Sequence, residues 1–274
     1  MRRARRHLIA LAVAGLLLGT GCTAQDAETT DAAPADTVPT DTGRASPSGA
    51  EAEFVSDDGA VTVHQVQQMS VVIEGPEGVV HTDPTGGAER YAHLPAPDVI
   101  LVSHEHAEHY DAATLEELVE PGTLLVVPPY VMDQLPETLR GAAVPLANGQ
   151  RHEDGPVVIE AVPAYGVDGE AAEWHPEGRG NGYVVTVGGR RVYVAGSTQA
   201  TPEMLALDDV YLALLPLYPP YATGPEEVVD ALSVFVPEHA YVYQYDSERT
   251  RDDFVRRMAE SSTETGVVAP EIDS

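Results

Sequence analysis

Three histidines stand within six residues in Ser103-His104-Glu105-His106-Ala107-Glu108-His109-Tyr110-Asp111. Imidazole nitrogens interleaved with carboxylates form a donor set for a divalent cation, with zinc the first choice and manganese or iron also suited. His104 and His106 are two apart, so on extended or turning backbone both rings can converge on one ion. Glu108 and His109 are then left for a neighbouring position. An ion held this way can acidify a bound water and make it a nucleophile near neutral pH. An incidental surface turn is the weaker reading, because three of the chain's ten histidines gather directly after an apolar run.

That run, Val99-Ile-Leu-Val102, reads as a buried strand that delivers the cluster. Around it, Ala60–His64, Met69–Glu74, Val79–Thr82 and Leu124–Val127 read as strands, with a turn at Gly75-Pro-Glu-Gly78. Asp111–Glu120 has helical spacing, with Leu115, Leu118 and Val119 on one face. Further on come strands at Val157–Val162, Gly182–Val187 and Arg191–Ala195, the last two joined as a hairpin by Gly188-Gly189. Pro202–Leu207 and Pro225–Phe235 read as helices, and Val210–Leu215 and His239–Tyr243 as strands. A strand-rich first half followed by alternating strands and helices implies two packed sheets with helices outside.

The chain begins Met1-Arg2-Arg3-Ala4-Arg5-Arg6-His7, followed by an apolar run from Leu8 to Leu18 and then Gly19-Thr20-Gly21-Cys22. A basic start, a short apolar stretch and small residues before a cleavage point are the parts of an export signal. The run is short of the roughly 20 residues that span a bilayer. Cys22 is the single cysteine. Its place resembles the lipobox of bacterial lipoproteins, with Gly19 where that motif usually has leucine. The resemblance implies cleavage before Cys22, lipidation of Cys22, and an exported protein anchored to the bacterial cell membrane, facing the periplasm or exterior. Residues 23–52, rich in Ala, Thr, Asp, Pro and Gly, read as a disordered linker. Residues 53–259 suit one folded domain, and 260–274 a loose polar tail. With Cys22 lipidated there is no thiol left, so every metal ligand must be nitrogen or oxygen.

The formal charge is −29, and all 15 basic residues are arginine. Residues 1–22 hold four of these arginines and no acid, so the part beyond them carries 11 basic and 44 acidic residues, a formal −33. Such a surface repels nucleic acid and anionic lipid. A small-molecule substrate or ligand is expected, and the acidic surface disfavours highly anionic ones. The acidity fits either a high-salt setting or a composition poor in lysine.

His104-Glu-His106-Ala-Glu108-His109 closely resembles the His-x-His-x-Asp-His motif of the metallo-β-lactamase superfamily. Val80-His-Thr-Asp83-Pro84 is similar to that family's early strand ending in Asp. Ala161-Val-Pro-Ala-Tyr165, and Trp174-His175 through Gly182-Tyr183, resemble the branch related to L-ascorbate-6-phosphate lactonase. Val192-Tyr-Val-Ala-Gly196-Ser197-Thr198 and Tyr241-Val-Tyr-Gln244-Tyr245 occupy the places of its Gly-Asp-Thr and its late strand ending in histidine. The likeness covers about 54 to 246. It implies a four-layer αβ/βα sandwich of the α/β class, with the site at one edge between the sheets. It further implies a first ion on His104, His106 and His175, and a second position using Glu108 and His109.

Three departures fall on that chemistry. Glu108 replaces Asp and adds a methylene. Ser197 replaces the aspartate that bridges two metals, and Gln244 replaces a histidine ligand. Ser197 and Gln244 are therefore degenerate positions, and one ion is expected rather than two. Two functions stay open. One is a metal-dependent hydrolase acting on a lactone, ester or phosphoester-like substrate, with Glu108 or Asp83 positioning or deprotonating water and His109 stabilising developing charge. The other is an inactive relative that binds a ligand or partner at the cell surface. A serine nucleophile is the least supported class, since no base lies near Ser197 in sequence and Gly196-Ser197-Thr198 is too short for a nucleophile elbow. The tyrosines of 217–221 and 241–245 read either as a cleft lining or as loop packing.

Overall fold

The computed structural model describes residues 44–45, 51–56, 59–154 and 157–271. The expectations on residues 1–22, including Cys22, lie outside the described residues. The first sheet runs, in spatial order, β1 (Arg44–Ala45), β2 (Glu51–Ser56), β3 (Gly59–Gln67), β4 (Ser70–Gly75), β5 (Gly78–Thr82), β6 (Val99–Leu101), β7 (Leu124–Val127) and β8 (Ala143–Pro145). β1 to β5 are antiparallel neighbours, and β5 to β8 are parallel. The second sheet is ordered β15 (Gly266–Val268), β14 (His239–Tyr245), β13 (Leu212–Leu217), β12 (Arg190–Val194), β11 (Gly180–Val187), β10 (Val158–Ala164) and β9 (Arg151–His152). It repeats the scheme, antiparallel from β9 to β12 and parallel from β12 to β15.

Side-chain alternation explains the layers. In β6, Val99 and Leu101 face the core between the sheets, while Ile100 joins the outer core. A strand buried on both faces reads as a continuous apolar run, which is why Val99–Val102 shows no alternation. β13 behaves alike: Leu212 and Leu214 point inward, and Ala213, Leu215 and Leu217 point outward. The outer face of the first sheet is covered by α1 (Ala112–Leu118), α2 (Pro129–Met132) and α3 (Glu137–Arg140) through Leu115, Val131 and Leu139. α4 (Gly169–Trp174) lies in the β10–β11 connection. The outer face of the second sheet is covered by α5 (Pro202–Leu205), α6 (Pro225–Phe235) and α7 (Glu248–Glu260). α6 buries Val228, Ala231, Leu232 and Phe235, the i, i+3, i+4, i+7 stripe of an amphipathic helix. The result is the four-layer αβ/βα sandwich.

The hairpin turn at Gly188-Gly189 has φ of 58° and 67°, the left-handed pair that a two-residue turn between twisted strands requires. Two boundaries differ from expectation. Strand structure already begins within the expected linker, at Arg44–Ala45 and Glu51. The expected loose tail contains β15, which pairs with β14 from His239↔Gly266 to Tyr241↔Val268. Tyr245 also donates its hydroxyl to Pro270 O at 2.7 Å. A short segment that adds an edge strand carries too few apolar residues to announce itself by pattern.

Candidate metal centre

The parallel strands β5 and β6 end side by side, and the chemistry-bearing loops leave from those ends, the usual place for a site in such sheets. Asp83 follows β5 and Ser103 follows β6. Asp83 is 2% exposed and adopts φ 46°. Its Oδ1 accepts from the Ser103 N–H at 2.6 Å; its Oδ2 accepts from the Ser103 hydroxyl at 2.6 Å and from His109 Nδ1 at 2.7 Å. Both oxygens face the interior, so Asp83 is not placed to act on a water in the cleft, as the sequence had suggested. It is an anchor for the loop.

The anchor sets ring protonation. Ser103 gives its hydrogen to Asp83, so its oxygen accepts from His104 Nδ1 at 2.9 Å. His104 Nε2 is left as the lone-pair nitrogen. His175, the residue closing α4, donates Nδ1–H to the carbonyl of Tyr221 at 3.0 Å, which leaves its Nε2 free in the same sense. His104 Nε2 lies 3.1 Å from His106 Nδ1. One nitrogen from each of His104, His106 and His175 falls within 4.8 Å of the others.

Burial holds these rings neutral. His104 is pushed well below the usual histidine range by desolvation, reinforced by His109, His175 and His106. His106 is lowered by desolvation, opposed by Glu105 and Glu108. His175 is pushed down to about 4 by burial, with His106 and His109 adding to the effect. Behind them Arg179 forms an ion pair with Glu105 and lies 4.3 Å over the Tyr130 ring. Three neutral nitrogens this close together, one on a buried ring and two on half-buried rings, suit a borderline cation, whose ligand nitrogens stand about 3.3 Å apart in tetrahedral coordination. Second-neighbour acceptors on the far nitrogens are the usual orienting device for such ligands.

His109 is not part of this trio. It is 1% exposed, with Nδ1 on Asp83 and Nε2 3.2 Å from Ser197 Oγ. Gln244, 2% exposed and at φ 50°, donates its side-chain amide to Ser197 Oγ at 2.7 Å. Glu108 is exposed. Among the described residues, the three-histidine group is the metal-competent cluster found. At the second position His109 Nε2 is met by the Ser197 hydroxyl, and Ser197 and Gln244 bring no charge to offset that of an ion.

Glu108, His106, His175, Ser197 and Gln244 line a cleft of about 180 Å³, together with Met69, Trp174, Tyr218 and Tyr221. Of the tyrosines weighed as lining, Tyr218 and Tyr221 take that role, whereas Tyr241 and Tyr243 are core residues and Tyr245 is buried. Gln67 and Gln68, at the end of β3, have structural partners: Gln67 donates to Ser70 Oγ and Thr85, Gln68 to the Tyr245 carbonyl. Sequence reasoning missed Ser103, which fixes His104, and the Tyr221 carbonyl, which fixes His175. A serine immediately before the histidine cluster was the one visible signal.

Residues 75–242 match the family model described as "Beta-lactamase superfamily domain". A protein of Thermococcus onnurineus named "UPF0173 metal-dependent hydrolase" is 27% identical over 155 residues, 55% of this chain and 67% of that one. A crystal structure from Parabacteroides distasonis, described as that of a metal-dependent hydrolase, superposes with a TM-score of 0.69 at 27% identity, covering 85% of this chain and 100% of the other. Igni18, a metallo hydrolase from Ignicoccus hospitalis, has a TM-score of 0.62 at 19% identity over 76% of this chain and 94% of its own. At that identity the likeness speaks for the fold alone.

Proposed function

The chain belongs to the β-lactamase superfamily, and on that premise we propose that it is a metal-dependent hydrolase working with one ion on an ester, lactone or phosphoester-like substrate. The observation that carries the reading is the trio His104, His106 and His175, in which two rings have their tautomers fixed so that a lone pair faces the shared point. The names of the Thermococcus and Parabacteroides relatives support the reaction class. A bound ion supplies a Lewis acid and a water of lowered pKa.

The chain's own residues do the rest. Glu108, exposed at the cleft, is the carboxylate able to take a proton from an attacking water. Trp174, Tyr218, Tyr221 and Met69 offer an apolar wall for the body of a substrate. Asp83 and Ser103 keep the His104 ring in register. The acidic surface weighs against substrates of high negative charge, and the sequence likeness to the lactonase-related branch favours a lactone or ester.

A second reading, ligand binding without turnover, is favoured by the Gln244–Ser197–His109 hydrogen bonds that occupy the second position. Elemental analysis of the full chain purified without chelator tests the first reading. About one zinc, manganese or iron per chain, with turnover of simple esters or lactones, is the expected result. About two ions would overturn the single-ion claim, and a folded chain that refuses metal would sink the hydrolase. Metal without turnover would leave the binding module. Attachment to a membrane through Cys22 is a separate proposal resting on the lipobox-like segment; incorporation of labelled fatty acid, lost in Cys22→Ala, would test it.

A further inference from the structure

The side chains at the second position are arranged in an order with chemistry of its own. Asp83 is an acceptor through both oxygens, so His109 Nδ1, 2.7 Å away, carries the hydrogen. His109 Nε2 is then a lone pair, and Ser197 Oγ lies 3.2 Å from it. Gln244 donates its amide N–H to the same Oγ at 2.7 Å, which leaves the Ser197 hydroxyl hydrogen to point at His109. A hydroxyl on an imidazole, with that imidazole oriented by a buried carboxylate, is the arrangement of an activated nucleophile. The carboxylate is held on both oxygens by Ser103, so the imidazole cannot swing away. Ser197 lines the cleft beside His106, His175 and Trp174, so its oxygen borders the space where a substrate would sit.

We propose that Ser197 is a nucleophile, with His109 its base and Asp83 the residue that positions His109, giving the cleft a covalent acyl-transfer route on esters and lactones. The proposal rests on the hydrolase reading for the location and class of substrate, and it needs no ion. Ser197 Oγ bonds to the acyl carbon while its proton passes to His109 Nε2. The bond from that carbon to the leaving oxygen breaks, and the leaving oxygen takes the proton. Water then gives a proton to His109 and its oxygen to the acyl carbon. The bond to Oγ breaks, and Oγ recovers the proton. Nothing is oxidised or reduced. The Gln244 amide, already bonded to Oγ, is a side-chain donor beside the point of attack for the oxyanion that forms at each step.

A patch that merely fills the second metal position would share the hydrogen bonds but not the reactivity. The full chain, stripped by chelator and again after zinc is restored, is treated with an alkyl fluorophosphonate, and the adduct is located by peptide mass mapping. Ser197 would displace fluoride from phosphorus, with its proton passing to His109. The expected result is one phosphonyl group on Ser197, absent in Ser197→Ala and formed at least about 100-fold more slowly in His109→Gln. Melting temperatures within about 5 °C of the unaltered chain show that the variants fold. The unaltered chain decides the matter even if a variant does not fold. No adduct on Ser197 with or without zinc, or modification spread over other serines, overturns the proposal. Equal rates in folded His109→Gln overturn the role of the base. Metal content of the same samples separates the two readings: a chain that binds metal but takes no adduct keeps the metal-dependent hydrolase and loses the nucleophile. A chain that refuses metal and takes the adduct does the reverse.

Discussion

On one side of the cleft, His104, His106 and His175 bring three nitrogens together, with His104 Nε2 and His106 Nδ1 3.1 Å apart; on the other, His109 Nε2, Ser197 Oγ and the Gln244 amide nitrogen form a continuous hydrogen-bonded chain. Both sides are anchored by the same carboxylate, Asp83, through Ser103 on one side and directly through His109 on the other. The difference teaches that a binding half-site is defined by which groups its nitrogens are turned toward rather than by how many polar groups are present. In both halves the far ring nitrogen is tied down, at His104 and His175 as at His109, and what differs is the group that the near nitrogen meets: other imidazoles on one side, the Ser197 hydroxyl on the other.

The comparison breaks most directly by removing a ligand. His106→Ala should weaken metal binding by more than about 100-fold, since changes to second neighbours alone give about 10–100-fold. Ser197→Ala should leave it unaltered, and equal losses in dialysed samples would erase the distinction between the halves. Acid sharpens the contrast from outside the cleft, at a buried ring with no cation to face. His81 stacks on Tyr91 and donates Nε2–H to Pro95 O at 3.0 Å. Burial pushes it down to about 4. Its folded pKa is below the unfolded value, so the unfolded chain binds the proton first as pH falls. The stability is whole above about pH 6.5 and is lost toward pH 4, by roughly 3 kcal/mol for this group. Urea unfolding at pH 7 and pH 4.5 reads that loss, and identical midpoints would refute it. The smallest effect belongs to Ser103→Ala, which touches both halves. Releasing His104 Nδ1 should weaken metal binding about 10–100-fold, while the lost contact to Asp83 costs about 1–3 kcal/mol of stability. A stability loss without a change in metal affinity would mean that Ser103 does not set the His104 tautomer.

Much of this fold was legible because its strands announce themselves by composition. Val99–Val102 and Leu124–Val127 are apolar on both faces, and the Gly188-Gly189 turn can hardly be anything but a hairpin. α7 was not legible: of its thirteen residues, Phe254 is the one fully buried, and charged residues dominate the rest. In the cleft, residue types near in sequence were read well, since His104, His106 and His109 declare a site by density alone. What could not be read was partnership across distance. Ser197 and His109 lie 88 residues apart, and nothing in the sequence indicates that the Asp83 carboxylate turns away from the cleft at the end of its strand. The φ of 46° at Asp83 and 50° at Gln244 mark both as backbone positions held by their surroundings, a property that becomes visible once the chain is folded.

His104 and His106 leave the first sheet after β6, whereas His175 closes a helix between two strands of the second. An ion on all three is therefore a rivet through the seam of the sandwich. Because it grips the docked pair and has no purchase on either sheet alone, each bound ion shifts the balance against separation of the sheets, by an amount that grows with the logarithm of its concentration. Scarcity of the cation would then register first as loosening along that seam, and the molecule's lifetime in its surroundings would follow the supply of the metal that its cleft was shaped to hold.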